Sequence, residues 1–161
     1  TSKAAPVKAS TTSITFSGAI ADVAYSAQVA ARSEVGWSEY SVRGCAVTIK
    51  KPMAPSAPTL KLLGGNKICI SWAAVSHTPA VTHYVISVYE GSCLKCFDSV
   101  SGTLVEDTSK AAPVKAITTS ITFSCAIADV AYSAQVAASS EVGWSDYSVK
   151  GNAVTIKKPM A

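Results

Sequence analysis

Charge, histidine and long apolar runs are all scarce in this chain, and each scarcity removes a class of function. Only 15% of the 161 residues are charged, and 14 Lys and Arg against 10 Asp and Glu leave a net charge of +4. The basic residues are scattered or paired, as in "IKKP" at 49–52 and 156–159. A nucleic-acid surface gathers them into a stripe, so these read as solvated strand ends and no nucleic-acid partner is expected. The only two histidines, His77 and His83, leave most of the chain without an imidazole base, and no nucleophile-elbow motif accompanies the serines. The chain is therefore not expected to be an enzyme, and no catalytic, cofactor or metal site is assigned. No run approaches the roughly 18 apolar residues of a membrane span. No basic-then-apolar leader opens the chain, which reads as a mature or excised piece. Asn66 and Asn152 lack a Ser or Thr two positions later, which excludes N-glycan acceptors. Clusters such as "TTSITFS" at 11–17 are the compositional signal for O-glycans.

What the chain does have is a core's worth of apolar residues, 48% of the total, and a repeat. Sliding the sequence by 107 positions lays residues 1–54 onto 108–161 with six differences: Ser10/Ile117, Gly18/Cys125, Arg32/Ser139, Glu39/Asp146, Arg43/Lys150 and Cys45/Asn152. Residues 55–107 occur once. The unit is about 107 residues, and the chain holds one and a half of them. A tandem array is the natural parent object.

Within one unit the apolar residues alternate. "KICISW" puts Ile68, Ile70 and Trp72 on one face, and "HYVISVY" sets Tyr84, Ile86 and Val88 against Val85, Ser87 and Tyr89. "SITF" offers Ile121 and Phe123, "AYSAQVAA" offers Tyr132, Ala134 and Val136, and "AVTI" offers Val154 and Ile156. Turn-rich pieces such as "LGGNK", "YEGS" and "VSGT" separate them. The Ala-rich "CAIADVAYSAQVAASS" tempts a helix, yet Asp129, Val130, Tyr132 and Val136 suit a loop entering a strand. Short strands at regular spacing predict an all-β sandwich.

In order and spacing these pieces resemble a fibronectin type III domain across the whole unit. "APSAPTL" (54–60) resembles the proline-marked entry and strand A, Trp72 the core tryptophan of strand B, and Tyr84 the aromatic opening of strand C. "IADVAYSAQVAA" resembles the E–F corner and strand F, with Tyr132 as the corner tyrosine and Tyr25 its counterpart in the first half-unit. The corner lacks the leucine–proline–glycine run often found there. The resemblance implies an immunoglobulin-like sandwich with A, B and E in one sheet and C′, C, F and G in the other. Trp72, Tyr84, Phe123, Tyr132, Phe16 and Tyr25 are the expected core residues.

The same resemblance divides the chain into residues 54–161, a complete domain, and residues 1–53, which carry only strands E, F and G. That half-unit has nothing like Ile68, Ile70 and Trp72 to cover Ile14, Phe16, Tyr25 and Val29, and is not expected to close a sandwich alone. Its missing strands can come from a flanking unit, from residues 55–107 of a neighbouring molecule in a head-to-tail polymer, or from its own 55–107 in a permuted domain. The partners expected are thus further copies of the chain, as a homo-oligomer or linear polymer.

Five cysteines, an odd count, leave at least one free or bonded elsewhere. Cys69 on strand B and Cys125 near the end of strand E are one candidate disulfide, although alternation turns Cys69 outward and Cys125 inward. "CLKC" offers Cys93 and Cys96 for a local or intermolecular bridge, which suits an oxidising, extracellular setting; Cys45 is the candidate intermolecular thiol. The motif lacks the helix start that a redox dithiol uses. A zinc set of His77, His83, Cys93 and Cys96 has its pairs roughly 25–30 Å apart along an extended chain, unless the chain doubles back. "GWSEYS" (36–41) and "GWSDYS" (143–148) resemble the Trp-Ser-x-Trp-Ser box of cytokine-receptor domains, with Arg32 available for stacking in the first copy only. The function expected is a structural or adhesive module of an extracellular filament or cell-surface array; the competing class is a ligand-binding receptor ectodomain using those loops.

Overall fold

The computed structural model describes residues 4–158, in two compact units divided between Ile49 and Lys50. The first unit has four two-residue strands: β1 (Ala24–Tyr25), β2 (Arg32–Ser33), β3 (Gly36–Trp37) and β4 (Val47–Thr48). β1 pairs antiparallel with β4, placing Ala24 opposite Thr48, and β2 pairs with β3, placing Arg32 opposite Trp37. Residues 13–16 form no strand.

The second unit is a two-sheet sandwich. Its strands are β5 (Thr59–Leu63), β6 (Lys67–Ser71), β7 (Val81–Glu90), β8 (Cys93–Asp98), β9 (Thr103–Val105), β10 (Val114–Lys115), β11 (Ser120–Phe123), β12 (Ala131–Ser140), β13 (Gly143–Trp144) and β14 (Val154–Thr155). One sheet runs β11-β6-β5; the other runs β13-β12-β7-β8-β9, with β10 on β7 and β14 on β12. The A-B-E and C′-C-F-G division is thus present, as β5-β6-β11 and as β8-β7-β12 with β13 and β14. The helical content among the described residues is one 3-10 turn, Thr108–Lys110, capped by the Asp107 carboxylate, which accepts from the Ser109 amide.

Period-two patterning explains the core. Ile68 and Ile70 of β6, Tyr84, Ile86 and Val88 of β7, Ile121 and Phe123 of β11, and Tyr132, Ala134, Val136 and Ala138 of β12 are all buried, with Leu60 and Trp72. The Ala-rich stretch is strand β12 because its small residues sit beside large ones of β7. Ala138 lies opposite Tyr84 and Ala134 opposite Val88, so the two strands together fill the inner layer without overpacking. Between β5 and β6, Gly65 (φ 74°) and Asn66 (φ 59°) turn the chain through the left-handed region.

Gly151 packs against the start of β5. A Cβ there would run into the Pro58 carbonyl, and backbone cannot step aside as a side-chain tip can. Its counterpart Gly44 has only Ala27 O at 4.0 Å. Gly151→Ala should therefore destabilise the complete sandwich by about 1–3 kcal/mol in urea unfolding, while Gly44→Ala leaves that transition unmoved.

Candidate functional site

The two copies of the repeat adopt the same local geometry in different surroundings. Tyr25 Oη accepts from the Ile20 amide at 2.9 Å, as Tyr132 Oη does from Ile127 at 2.8 Å. Phe16 meets Tyr25 at 5.6 Å between ring centres and Phe123 meets Tyr132 at 5.7 Å, both tilted by 50°. The backbone bonds also correspond: Asp22 N to Ile49 O and Asp129 N to Ile156 O, at 2.8 and 2.7 Å; Gly44 N to Ala27 O and Gly151 N to Ala134 O, at 3.0 and 3.1 Å. The tyrosine corner forms in both copies without the leucine–proline–glycine run.

Burial separates them. Phe123, Val136 and Ile121 are 1%, 0% and 8% exposed; Phe16, Val29 and Ile14 are 60%, 71% and 70%. Tyr132 is buried and Tyr25 half-buried. Of the six expected core residues, Trp72, Tyr84, Phe123 and Tyr132 lie in the core, whereas Phe16 and Tyr25 stand on an open face. The reason is the absence of cover: β6 and β7 form their ladders with β11 and β12, so the permuted pairing of residues 55–107 with the first half-unit is not the one adopted. Covering Ile14, Phe16 and Val29 would be worth about 1.5–3 kcal/mol each. The open face is the candidate site.

The aromatic core of the complete unit is tied down by polar groups. Trp72 and Tyr84 stack edge-on at 5.5 Å, and Tyr84 Oη accepts from the Val75 amide at 2.9 Å. Tyr132 also donates to Glu90 Oε2 at 3.0 Å, while Glu90 Oε1 meets Lys95 Nζ at 3.2 Å. Burial, opposed by the Ile127 N–H and reinforced by the Glu90 carboxylate, raises the Tyr132 phenol above its ordinary range. Asp98 accepts from the amides of Ala112 (2.9 Å), Ser101 (3.2 Å) and Val100 (3.3 Å). The Ala112 amide foremost, then the Ser101 hydroxyl, with the other two amides adding less, hold its carboxyl below the usual range.

The serine-rich loops serve the backbone. Ser145 N donates to Ala138 O while its hydroxyl accepts from Ala138 N, and Ser148 does the same to Val136. Ser38 and Ser41 repeat this on Ala31 and Val29. Each hydroxyl thus replaces a missing carbonyl, which extends the ladder along β12 where β13 has ended. Arg32 stacks 5.5 Å over Trp37 in the first copy. Hydrophobic periodicity carried no sign of this ladder; the serine spacing itself was the available signal.

No two of the five cysteines are bonded within the chain, so neither Cys69–Cys125 nor Cys93–Cys96 forms an internal bridge here. Cys93 and Cys96 lie three apart on extended strand β8, one exposed and one buried, so they face opposite ways. Cys69 sits opposite Thr122, and Cys125 lies three residues beyond that point. Cys125 is exposed rather than inward, because its φ of 65° breaks the alternation; the other copy has Gly18 there, at φ 79°. Cys45 is exposed and Cys69 half-buried. The chain does double back after strand β7, setting Cys96 opposite Ser87, four residues along from His83, and Cys93 opposite Glu90, seven residues along. Even so, no group of three or more His, Cys, Asp or Glu that could hold a metal occurs among the described residues. Nor is any helix among them long and apolar enough to cross a membrane.

Solved structures that share this architecture include two multidomain segments. The FN1–FN3 domains of chicken contactin 1 align with 87% of this chain and 45% of their own length at 17% identity, with a TM-score of 0.50. A stretch of consecutive titin domains aligns with 72% of this chain and 36% of its own length at 12% identity, also with a TM-score of 0.50. The chain spans less than half the length of either structure. At such identities the likeness is one of fold, and the chain has a fibronectin type III-like β-sandwich fold. No protein-family model matches it, and no curated protein matches it in sequence.

Two outcomes follow. In the native protein, thiol reagents should modify Cys45, Cys93 and Cys125 quickly and Cys69 more slowly. Cys96, whose thiol burial pushes upward in pKa, should react only on unfolding; a full set of three fast thiols missing from the count would reveal bridges. Stability should also fall at both pH extremes. The lowered Asp98 contributes fully above its ordinary value of 3.8 and less as pH falls below it; the raised Tyr132 contributes fully below 10.0 and less as pH rises further. Asp98→Asn should flatten the acid limb of a urea-midpoint profile, and Tyr132→Phe the alkaline limb.

Proposed function

We propose that the chain is a structural or adhesive module, one stretch of a tandem array of fibronectin type III-like sandwiches at the cell surface or in an extracellular filament. Its work is mechanical: repeated sandwiches supply length, spacing and repeated surface, and no enzymatic step is assigned to it. The observation that carries this reading is where the two copies differ. In the complete unit, positions 117, 125, 139, 146, 150 and 152 are exposed or half-exposed, and none is buried. The core-building residues are unchanged, so the repeat preserves a scaffold while only its surface varies. The extracellular setting rests on the family resemblance, since five free thiols lend it no disulfide. A receptor role for the "GWSEYS" loops is disfavoured because their serines are committed to the neighbouring backbone.

Electron microscopy of the native material tests the proposal. A linear series of beads is expected, each on the order of 35 Å long, the length of a ten-residue strand at about 3.3 Å per residue. Discrete single particles with no linear arrangement would refute it.

A further inference from the structure

We infer that the inner face of the first unit is a receiving surface, and that its occupant is an additional donor half: a polypeptide segment with the sequence of residues 54–107, beyond the one already engaged in the complete sandwich. This deepens the array reading and rests on it. The chain itself displays what covers such a face. In the complete unit the half formed by residues 108–158 is capped by β5–β9, and Val114, Ile121, Phe123, Tyr132, Ala134 and Val136 are buried. Their counterparts Val7, Ile14, Phe16, Tyr25, Ala27 and Val29 are the same residue types. The receiver is also preset, since its corner bond, ring pair and serine ladder already have the geometry of the covered copy.

Shape suits a donor half. Ala134 and Ala138 leave hollows that Val88 and Tyr84 fill from the neighbouring strand. Ala27 and Ala31 offer the same small residues to an incoming β7. The donor also brings Glu90, whose carboxylate accepts a hydrogen bond from the Tyr132 hydroxyl in the complete unit. Residues 13–16, the counterpart of β11, are in no ladder and match the edge that β6 pairs with.

Within residues 1–161 the receiving sequence occurs twice and the donor sequence once, so passing the donor from one receiver to the other only moves the open face. Burial of apolar surface increases only when an extra donor is supplied.

The test appends a second copy of residues 54–107 ahead of Thr1 in the full chain, which recreates the native Asp107–Thr108 junction. Amide exchange in residues 13–16 and 24–33 should slow by about 100-fold or more, toward the rates of 120–123 and 131–140, and the urea m-value should rise toward twofold. In the same fusion Phe16→Asp should abolish the new protection and leave that of 131–140 intact. The inference is overturned if the appended segment leaves exchange in 13–33 unchanged. It is overturned equally if Phe16→Asp has no effect on the new protection, or if the unfused chain forms a dimer that itself slows exchange at those residues. Bead arrays in micrographs alongside any of these results would leave the array reading standing and the donor-half inference refuted.

Discussion

The seam between the two halves of the sandwich is the interaction on which everything else depends. It consists of the β6–β11 and β7–β12 ladders and the side chains they bring face to face: Ile68, Ile70 and Trp72 with Tyr84, Ile86 and Val88 on one part, Ile121, Phe123, Tyr132 and Val136 on the other. The chain contains its own control for this seam. Residues of the same type, beside the same corner bond, ring pair and serine hydrogen bonds, are core in one copy and surface in the other. Burial therefore belongs to the pairing, whereas the tyrosine corner, the paired rings and the serine ladder belong to the half itself. Hydrogen bonds spanning five to twelve residues form in both settings; the apolar contacts that supply most of the free energy of folding require strands more than forty residues away.

That division also explains what could be read from the sequence. The sandwich was legible because alternation, turn residues and a near-perfect repeat all pointed the same way. Its sheet assignment followed from the resemblance. The half-unit's open face was legible too, since counting strands requires no coordinates. Cysteine geometry was not legible, because it depends on single torsions: the left-handed Cys125 overturns an inside–outside assignment that simple alternation makes with ease, and the β7–β8 hairpin returns Cys96 to the middle of a strand. The role of Ser38, Ser41, Ser145 and Ser148 was hidden for another reason. Hydroxyls that stand in for backbone carbonyls follow the partner strand's ladder, and this leaves no hydrophobic period to detect.

The six substitutions between copies bear on function through what they spare. Replacing Arg32 by Ser139 removes the guanidinium that stacks on Trp37, and the Trp144 loop keeps its β12 hydrogen bonds regardless. The loop's hydrogen bonds to its strand are thus kept without the cation. Arg43 becomes Lys150, which places its ammonium 3.6 Å from the centre of the Tyr89 ring, so a cation is retained where β7 offers an aromatic face. The surface varies within limits that the fold sets.

With two receivers sharing one core face, covalent order decides which of them the donor covers. Residues 54–107 run directly into their partner half. Asp107 caps the 3-10 turn that opens it, and Asp98 and Ser99 clasp Ala112 and Pro113 just beyond. A direct link of this kind keeps the partner at high effective concentration, whereas the other receiver is reached only through residues 50–53. Local strain pulls the opposite way: the left-handed position at the edge of the receiver is glycine in the first copy and Cys125 in the second. The donor covers the half to which it is directly linked, although the left-handed position there is a cysteine and not a glycine.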